Sequence, residues 1–117
     1  FDTVLVALNA ADRTSNSFIE RVLPEAAERG MGVIGMKVLG RGALLKPDGP
    51  LTAEEALGYV LSLPVSTAII GISAPAQLDE LVEGLQVFTP FSEEQMRRLE
   101  ALAAPLAPDV NAFKRFS

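Results

Sequence analysis

GVIGMKV, residues 32–38, is a short apolar run that includes the β-branched residues Val33 and Ile34. Consecutive apolar residues of this kind are typical of a strand in a parallel sheet, where both faces of the sheet are covered. Two similar runs flank it in the sequence, TVLVAL at residues 3–8 and TAII at residues 67–70. The three runs predict three buried strands.

The segments between and after these runs have apolar residues at helical spacing. Pro24 interrupts the first such segment and predicts a kink or two helical pieces, and Gly30 ends it. Thr52-Ala-Glu-Glu55 and Ser92-Glu-Glu-Gln95 are capping boxes. In a capping box the hydroxyl of the first residue accepts a hydrogen bond from the backbone N–H three residues later, and the Glu or Gln side chain at that later position accepts one from the backbone N–H of the first residue. We therefore predict helices over residues 15–29, about 52–63, 75–85 and about 92–104.

Strands that alternate with helices indicate an α/β fold in which parallel strands are joined by right-handed crossovers. The order is β-α-β-loop-α-β-α-α, and the loop over residues 39–51 is long and rich in Gly and Pro. Pro105 and Pro108 end the last predicted helix, so we divide the chain into a folded unit, residues 1–104, and an irregular tail, residues 105–117.

Composition excludes several function classes. The chain has 117 residues, 49% of them hydrophobic, and a formal net charge of −5, which suits one globular unit and makes nucleic acid a poor partner. It has no Cys and no His, so thiolate–metal sites, a thiol nucleophile and a Ser-His-Asp triad are excluded. No targeting signal or membrane-spanning stretch is visible, and we expect a cytoplasmic protein. The first strand begins almost at residue 1, which favours a processed chain or a piece of a longer one.

Ligands of parallel α/β folds gather where strands end and helices begin. This rule selects Asn9, the loop Lys37–Gly42, and residues 71–73 with the following first turn. The loop KVLGRG carries two cations and two glycines directly after a strand, which suits a phosphate or pyrophosphate. A surface turn with solvated cations is an equally weighted alternative. The loop is neither a Walker loop nor a complete Rossmann fingerprint.

The second candidate site combines Gly71 and Ser73 with Gln77 and Glu80, which are three apart on one helical face. An ordinary helix cap with a polar face is the simpler interpretation, and spacing alone favours it. The adjacent carboxylates at residues 54–55 and 93–94 suit the positive ends of helix dipoles better than acid–base catalysis. Tyr59 lies on an apolar helical face, which predicts a place in the core.

Four segments of the sequence resemble the aldo-keto reductase family, in order and with similar spacing. They are residues 2–9, 22–40, 55–73 together with Gln77-Leu-Asp-Glu80, and 88–96. The resemblance implies a (β/α)8 TIM barrel in which hydride moves between a nicotinamide cofactor and a carbonyl. A complete barrel has roughly 250 residues, so the chain would be the C-terminal half of one.

The resemblance also implies which residues hold the cofactor, with NADPH expected and NADH possible. Ile72 and Leu78 lack the charge with which the family often binds a 2′-phosphate, so this choice stays open. Leu81 stands where the family often has Asn, and Met36 replaces an aromatic residue that stacks on the nicotinamide. The implied cofactor-binding residues are Met36 beside the nicotinamide, Lys37, Leu39 and Gly40 along the phosphates and ribose with Arg41 as an added cation, and Gly71, Ser73, Gln77 and Glu80 at the adenosine end.

The family's catalytic Tyr, Asp, Lys and His come from the N-terminal half of its barrel, so the resemblance implies no catalytic residue here. We expect the complete enzyme to be an aldehyde or ketone reductase and this chain alone to be inactive. Its partner would be the missing N-terminal half-barrel. The alternative is a non-catalytic half-barrel that binds another chain or self-associates, because an incomplete barrel exposes its interior and its strand edges. No metal site is expected.

Overall fold

Three parallel strands form one sheet in a computed structural model that describes residues 2–14, 17–45, 49–71 and 75–112. They are β1 (Thr3–Ala7), β2 (Gly32–Met36) and β3 (Thr67–Ala68), and they lie in the order β1-β2-β3. Both pairings are parallel, so the predicted α/β fold is confirmed. Because parallel strands need long crossover connections, helical segments separate each strand from the next.

The helices begin and end close to the predicted residues. The predicted interruption at Pro24 is confirmed, since two helices replace one and Pro24 occupies one of the first two positions of the second. Both capping boxes are present, with Thr52 bonded to Glu55 and Ser92 bonded to Gln95. Residues 15–16, where we expected the first helix to begin, lie outside the described residues. The helices are α1 (Phe18–Arg21), α2 (Leu23–Glu28), α3 (Ala53–Leu61), α4 (Pro75–Leu85), α5 (Glu93–Ala103) and α6 (Ala107–Val110).

The core lies between the helices and one face of the sheet, to which Val6 and Val33 contribute buried side chains. Gly35 lies on the same face, and an added Cβ there would be 3.0 Å from Cγ1 of Val60. The absence of a side chain at Gly35 therefore lets α3 pack closely on β2. Tyr59 of α3 is fully buried, as expected.

The other face of the sheet is partly open, as expected of an incomplete barrel, and the prediction that the first strand is buried on both faces was wrong. Leu5 of β1 is 52% exposed, and Ile69, just after β3, is 57% exposed. In a closed barrel the inward-facing side chains are covered by those of the remaining strands. The exposure of Leu5 and Ile69 is therefore what an incomplete barrel would show.

The expectation of an irregular tail after residue 104 was also wrong for the described part. Ala104–Leu106 form a 3-10 turn, and α6 follows it directly. Pro105 and Pro108 stand in the first two positions of these short helical turns, where a missing N–H costs nothing. Residues 113–117 of the predicted tail lie outside the described residues.

Candidate functional site

The loop after β2 has an unusual backbone conformation. Lys37 and Arg41 have positive φ angles of 54° and 58°, in the left-handed region that non-glycine residues rarely adopt. Gly40 and Gly42, on either side of Arg41, also have positive φ angles, of 58° and 87°. Left-handed backbone costs a residue with a Cβ about 1–2 kcal/mol, and strain of this kind clusters at functional sites. The two cations predicted to hold a phosphate are thus the two strained positions.

Asn9 is buried just after the neighbouring strand β1, and its side chain forms a hydrogen bond to this loop. Its Nδ2 donates to the carbonyl oxygen of Lys37 over 3.2 Å, and its Oδ1 accepts from the N–H of Ala11 over 2.9 Å. The N–H of Gly40 donates to the same Lys37 oxygen over 2.9 Å. Asn9, selected from its place after β1, therefore serves as a support for the loop and is itself 2% exposed.

A second wall is formed by α4 and the N-terminus of α3. Gln77 and Glu80 lie on one face of α4, above the buried Leu81. Glu54, in the first turn of α3, extends onto the same helix, because an added Cβ at Gly84 would be 2.6 Å from Glu54 Oε1. The absence of a side chain at Gly84 leaves room for the Glu54 carboxylate on α4.

Between the loop and this wall lies a cleft of about 860 Å³ at the carboxyl ends of β2 and β3. Its volume falls within the range of roughly 300–1,000 Å³ that is usual for small-molecule sites. Gly42 and Gly71 line it, and an added Cβ at either position would meet no atom within 4 Å. The backbone at these two glycines is therefore open to close approach by a ligand.

The cleft unites the two loops that the sequence singled out. Met36 does not line it but lies at the end of β2, and Gly40 packs beneath the loop, where an added Cβ would be 3.0 Å from Leu44 Cγ. Ser73 lies outside the described residues. Six of the nine expected cofactor-binding residues line the cleft: Lys37, Leu39, Arg41, Gly71, Gln77 and Glu80.

Sequence reasoning missed the contribution of α3. Thr52, Ala53 and Glu54 line the cleft, although we explained the acidic first turn of this helix by its dipole alone. The available signal was topological, because the N-terminus of a helix that enters from a strand's carboxyl end lies at that same edge of the sheet. Leu45 and Leu51, paired in an isolated bridge, close the loop below the cleft.

Tyr59 does not line the cleft and takes part in a separate polar cluster. Its hydroxyl donates to Glu100 Oε2 over 2.6 Å, and Arg13 Nε lies 3.0 Å from the same oxygen. Arg97 binds the other Glu100 oxygen. Burial, reinforced by the Glu100 carboxylate, raises the pKa of Tyr59 far above its usual value. This hydroxyl therefore holds its proton and fastens α3 to α5.

Two negative findings apply to the described ranges. Within residues 2–14, 17–45, 49–71 and 75–112, no helix has both the length and the apolar character needed to cross a bilayer. Over the same ranges, no three His, Cys, Asp or Glu side chains are grouped so that they could hold a metal ion.

Among solved structures, the chain is similar to aldo-keto reductase AKR11C1 from Bacillus halodurans in its holo form, with a TM-score of 0.66 and 22% sequence identity. The match covers 86% of this chain and 42% of that one. The fold is therefore similar to part of the barrel of this aldo-keto reductase. The chain thus spans less than half the length of this aldo-keto reductase, in agreement with the predicted partial TIM barrel. No protein-family model and no curated protein sequence matches the chain.

Proposed function

We propose that this chain is the cofactor-binding, C-terminal half of an aldo-keto reductase barrel, and that the complete barrel reduces aldehydes or ketones in the cytoplasm with NADPH or NADH. The observation that carries the proposal is the cleft itself. Lys37 and Arg41 come from one loop, Gln77 and Glu80 from a helix more than 30 residues later, and all four line it. The likeness to a holo aldo-keto reductase supports the same conclusion.

The residues of the cleft fit a dinucleotide. Lys37 and Arg41 supply two positive charges for the two phosphates, and Gly42 and Gly71 give the ligand access to the backbone. Gln77 and Glu80 offer hydrogen-bonding groups for a ribose or an adenine. When bound, a reduced nicotinamide supplies a hydride to a carbonyl carbon.

Proton transfer to the carbonyl oxygen must come from elsewhere. The chain contains no His, and its one Tyr is fully buried and bonded to Glu100. Tyr59 does not line the cleft. We therefore assign the proton donor to the missing N-terminal half-barrel, and we expect the 117-residue chain alone to bind cofactor without turnover.

Titration of the chain with NADH and NADPH, followed by calorimetry, tests the proposal. Lys37→Ala and Arg41→Ala should each weaken binding, by about tenfold for one charge-assisted phosphate contact. Arg29→Ala is the matched control, because Arg29 is exposed and pairs with Glu25 away from the cleft. No heat at millimolar concentrations of either cofactor would overturn the proposal, as would equal losses in all three variants.

A second role, in association, is favoured by the open face of the sheet. Leu5 and Ile69 are both more than half exposed, and β1 and β3 are edge strands. We propose that the rest of the barrel covers this face, since the chain matches only 42% of its structural relative. Light scattering after a sizing column tests the chain alone. A compact monomer with no tendency to associate would contradict this role, and a discrete dimer would identify a second copy as the occupant.

A further inference from the structure

Charge is distributed unevenly over the two walls of the cleft. Lys37 and Arg41 lie on the loop after β2, whereas the opposite wall, in the described residues, carries the carboxylates of Glu54 and Glu80. Gln77, on that same wall, is neutral. Among the described residues that line the cleft, one side is therefore cationic and the other acidic, with two charged residues on each.

The Glu54 carboxylate, from α3, lies against α4, the helix that carries Glu80. The Glu54 carboxylate occupies the space at Gly84, where an added Cβ would be 2.6 Å from its Oε1. Gly84 follows Glu80 by four residues, and residues four apart lie on the same helical face. The Glu54 carboxylate thus lies against α4 about one helical turn from position 80.

This distribution of charge is complementary to a dinucleotide whose ribose carries an unmodified 2′-hydroxyl. The pyrophosphate carries two negative charges, which the two cations balance. A hydroxyl at the ribose 2′ position can donate a hydrogen bond to a carboxylate, which is the usual means of recognising NAD. A phosphate at that position adds about −1.5 to −2 charges, and on the acidic wall, as far as it is described, the charged groups that it would face are the carboxylates of Glu54 and Glu80.

We propose that the cleft selects NADH over NADPH, with Glu80 and Glu54 as the residues that set this specificity. The inference rests on the proposed function, because it applies only if the cleft holds a nicotinamide dinucleotide. It commits to one of the two cofactors that the sequence left open. Recognition uses hydrogen bonding to the 2′-hydroxyl and repulsion of a 2′-phosphate, so the discrimination has both an attractive and a repulsive part.

Parallel titrations with NADH and NADPH, at one ionic strength, measure the specificity ratio. We expect NADH to bind at least about tenfold more tightly, since like charges brought together in an interface cost several kcal/mol. Glu80→Gln and Glu54→Gln should each strengthen NADPH binding and weaken NADH binding. Glu80→Lys should reverse the preference, because it supplies a cation for the 2′-phosphate.

Asp79→Asn is the matched control for these variants. It removes the same charge from the same helix, but Asp79 is exposed and does not line the cleft. The ratio should stay unchanged in this variant. Gly84→Ala is a second test, because it displaces the Glu54 carboxylate without removing its charge, and it should move the ratio in the direction of Glu54→Gln.

The outcomes separate this inference from the proposed function. If neither cofactor binds, the proposed function falls and the specificity proposal falls with it. If both bind but NADPH binds as tightly as NADH or more tightly, the cleft is a dinucleotide site and the specificity proposal alone is wrong. A ratio that Glu80→Gln and Asp79→Asn change equally would likewise overturn the roles of the two carboxylates.

Discussion

The side-chain amide of Asn9 donates a hydrogen bond to the backbone carbonyl of Lys37 over 3.2 Å. This bond joins the end of β1 to the residue that follows β2, and that residue has a left-handed φ of 54°. Asn9 is buried and does not line the cleft. It therefore acts on a ligand only through the position of the Lys37 loop.

Asn9→Ala should lower both stability and affinity for the dinucleotide. The variant removes the side-chain hydrogen bonds to the Lys37 carbonyl and from the Ala11 N–H, and each lost hydrogen bond costs about 0.5–1.5 kcal/mol. Affinity should fall although every cleft-lining side chain is retained. Urea unfolding and a titration under native conditions measure the two effects.

Asn111→Ala is the control for Asn9→Ala. Asn111 is also buried, and its Nδ2 donates to the carbonyl of Ala11 over 2.9 Å. This variant should lose stability while the remaining folded protein binds normally. Equal losses of affinity in the two variants would contradict a positioning role for Asn9.

Arg41→Gly should stabilise the chain while weakening dinucleotide binding. Glycine adopts the observed φ of 58° freely, which relieves about 1–2 kcal/mol of strain and is partly offset by the greater entropy of glycine in the unfolded chain. Arg41→Ala keeps the strain and loses the same charge. The two variants should therefore bind alike, and thermal unfolding should show Arg41→Gly to be the more stable. The opposite order of stability would exclude strain at this position.

Tyr59→Phe should destabilise the chain at neutral pH by about 1–3 kcal/mol, because it removes a buried hydrogen bond to a carboxylate. The pKa of Tyr59 is raised above its usual value of 10.0, chiefly by burial and then by the bond to Glu100. The folded state thus holds this proton more tightly than the unfolded state does. The resulting stability is fully present below pH 10 and is lost as the pH rises further.

Unfolding free energies of the two proteins between pH 8 and about pH 11 check this prediction. The difference in stability between the original chain and Tyr59→Phe should stay constant up to about pH 10 and shrink above it. A difference that is independent of pH over the whole range would show that Tyr59 ionises equally in both states.

Leu5→Ser and Ile69→Ser should reduce self-association without loss of stability. Both side chains are more than half exposed on the open face, so replacing them should change the free energy of unfolding by no more than about 0.5 kcal/mol. Val87→Ser is the control, since Val87 is 82% exposed and lies after α4, outside the strands of the sheet. Scattering at several protein concentrations measures association. An effect of Val87→Ser as large as that of Leu5→Ser would indicate nonspecific hydrophobic association and not association through the open face.

Local signals in the sequence were sufficient for the three strands and for α1 to α5, but not for the short helical turns over residues 104–110. The capping boxes at Thr52 and Ser92 depend on residues three positions apart, and the interruption at Pro24 depends on one missing N–H. The exposure of Leu5 and Ile69 could not be read in this way, because their runs resemble those of fully covered strands. What covers each strand depends on contacts with other parts of a barrel.

The candidate site likewise has some features that the sequence predicts and others that depend on contacts between distant segments. Lys37, Arg41, Gln77 and Glu80 could be named because loops at the carboxyl ends of parallel strands share one edge. The support given by Asn9 and the place of Glu54 against Gly84 depend on side-chain geometry between distant segments. No spacing in the sequence specifies such contacts.

The register of the sheet bears on how a whole barrel would be assembled. β1 and β2 are aligned along five residue pairs, whereas β2 and β3 share two. Amide protons of the first pair should accordingly exchange with solvent more slowly than those of β3. Of the two acidic residues, Glu80 lies on α4, directly after β3. If the cleft binds the proposed nucleotide, a neighbouring strand that pairs with β3 would therefore also strengthen nucleotide binding, and barrel closure and ligand binding would be thermodynamically linked.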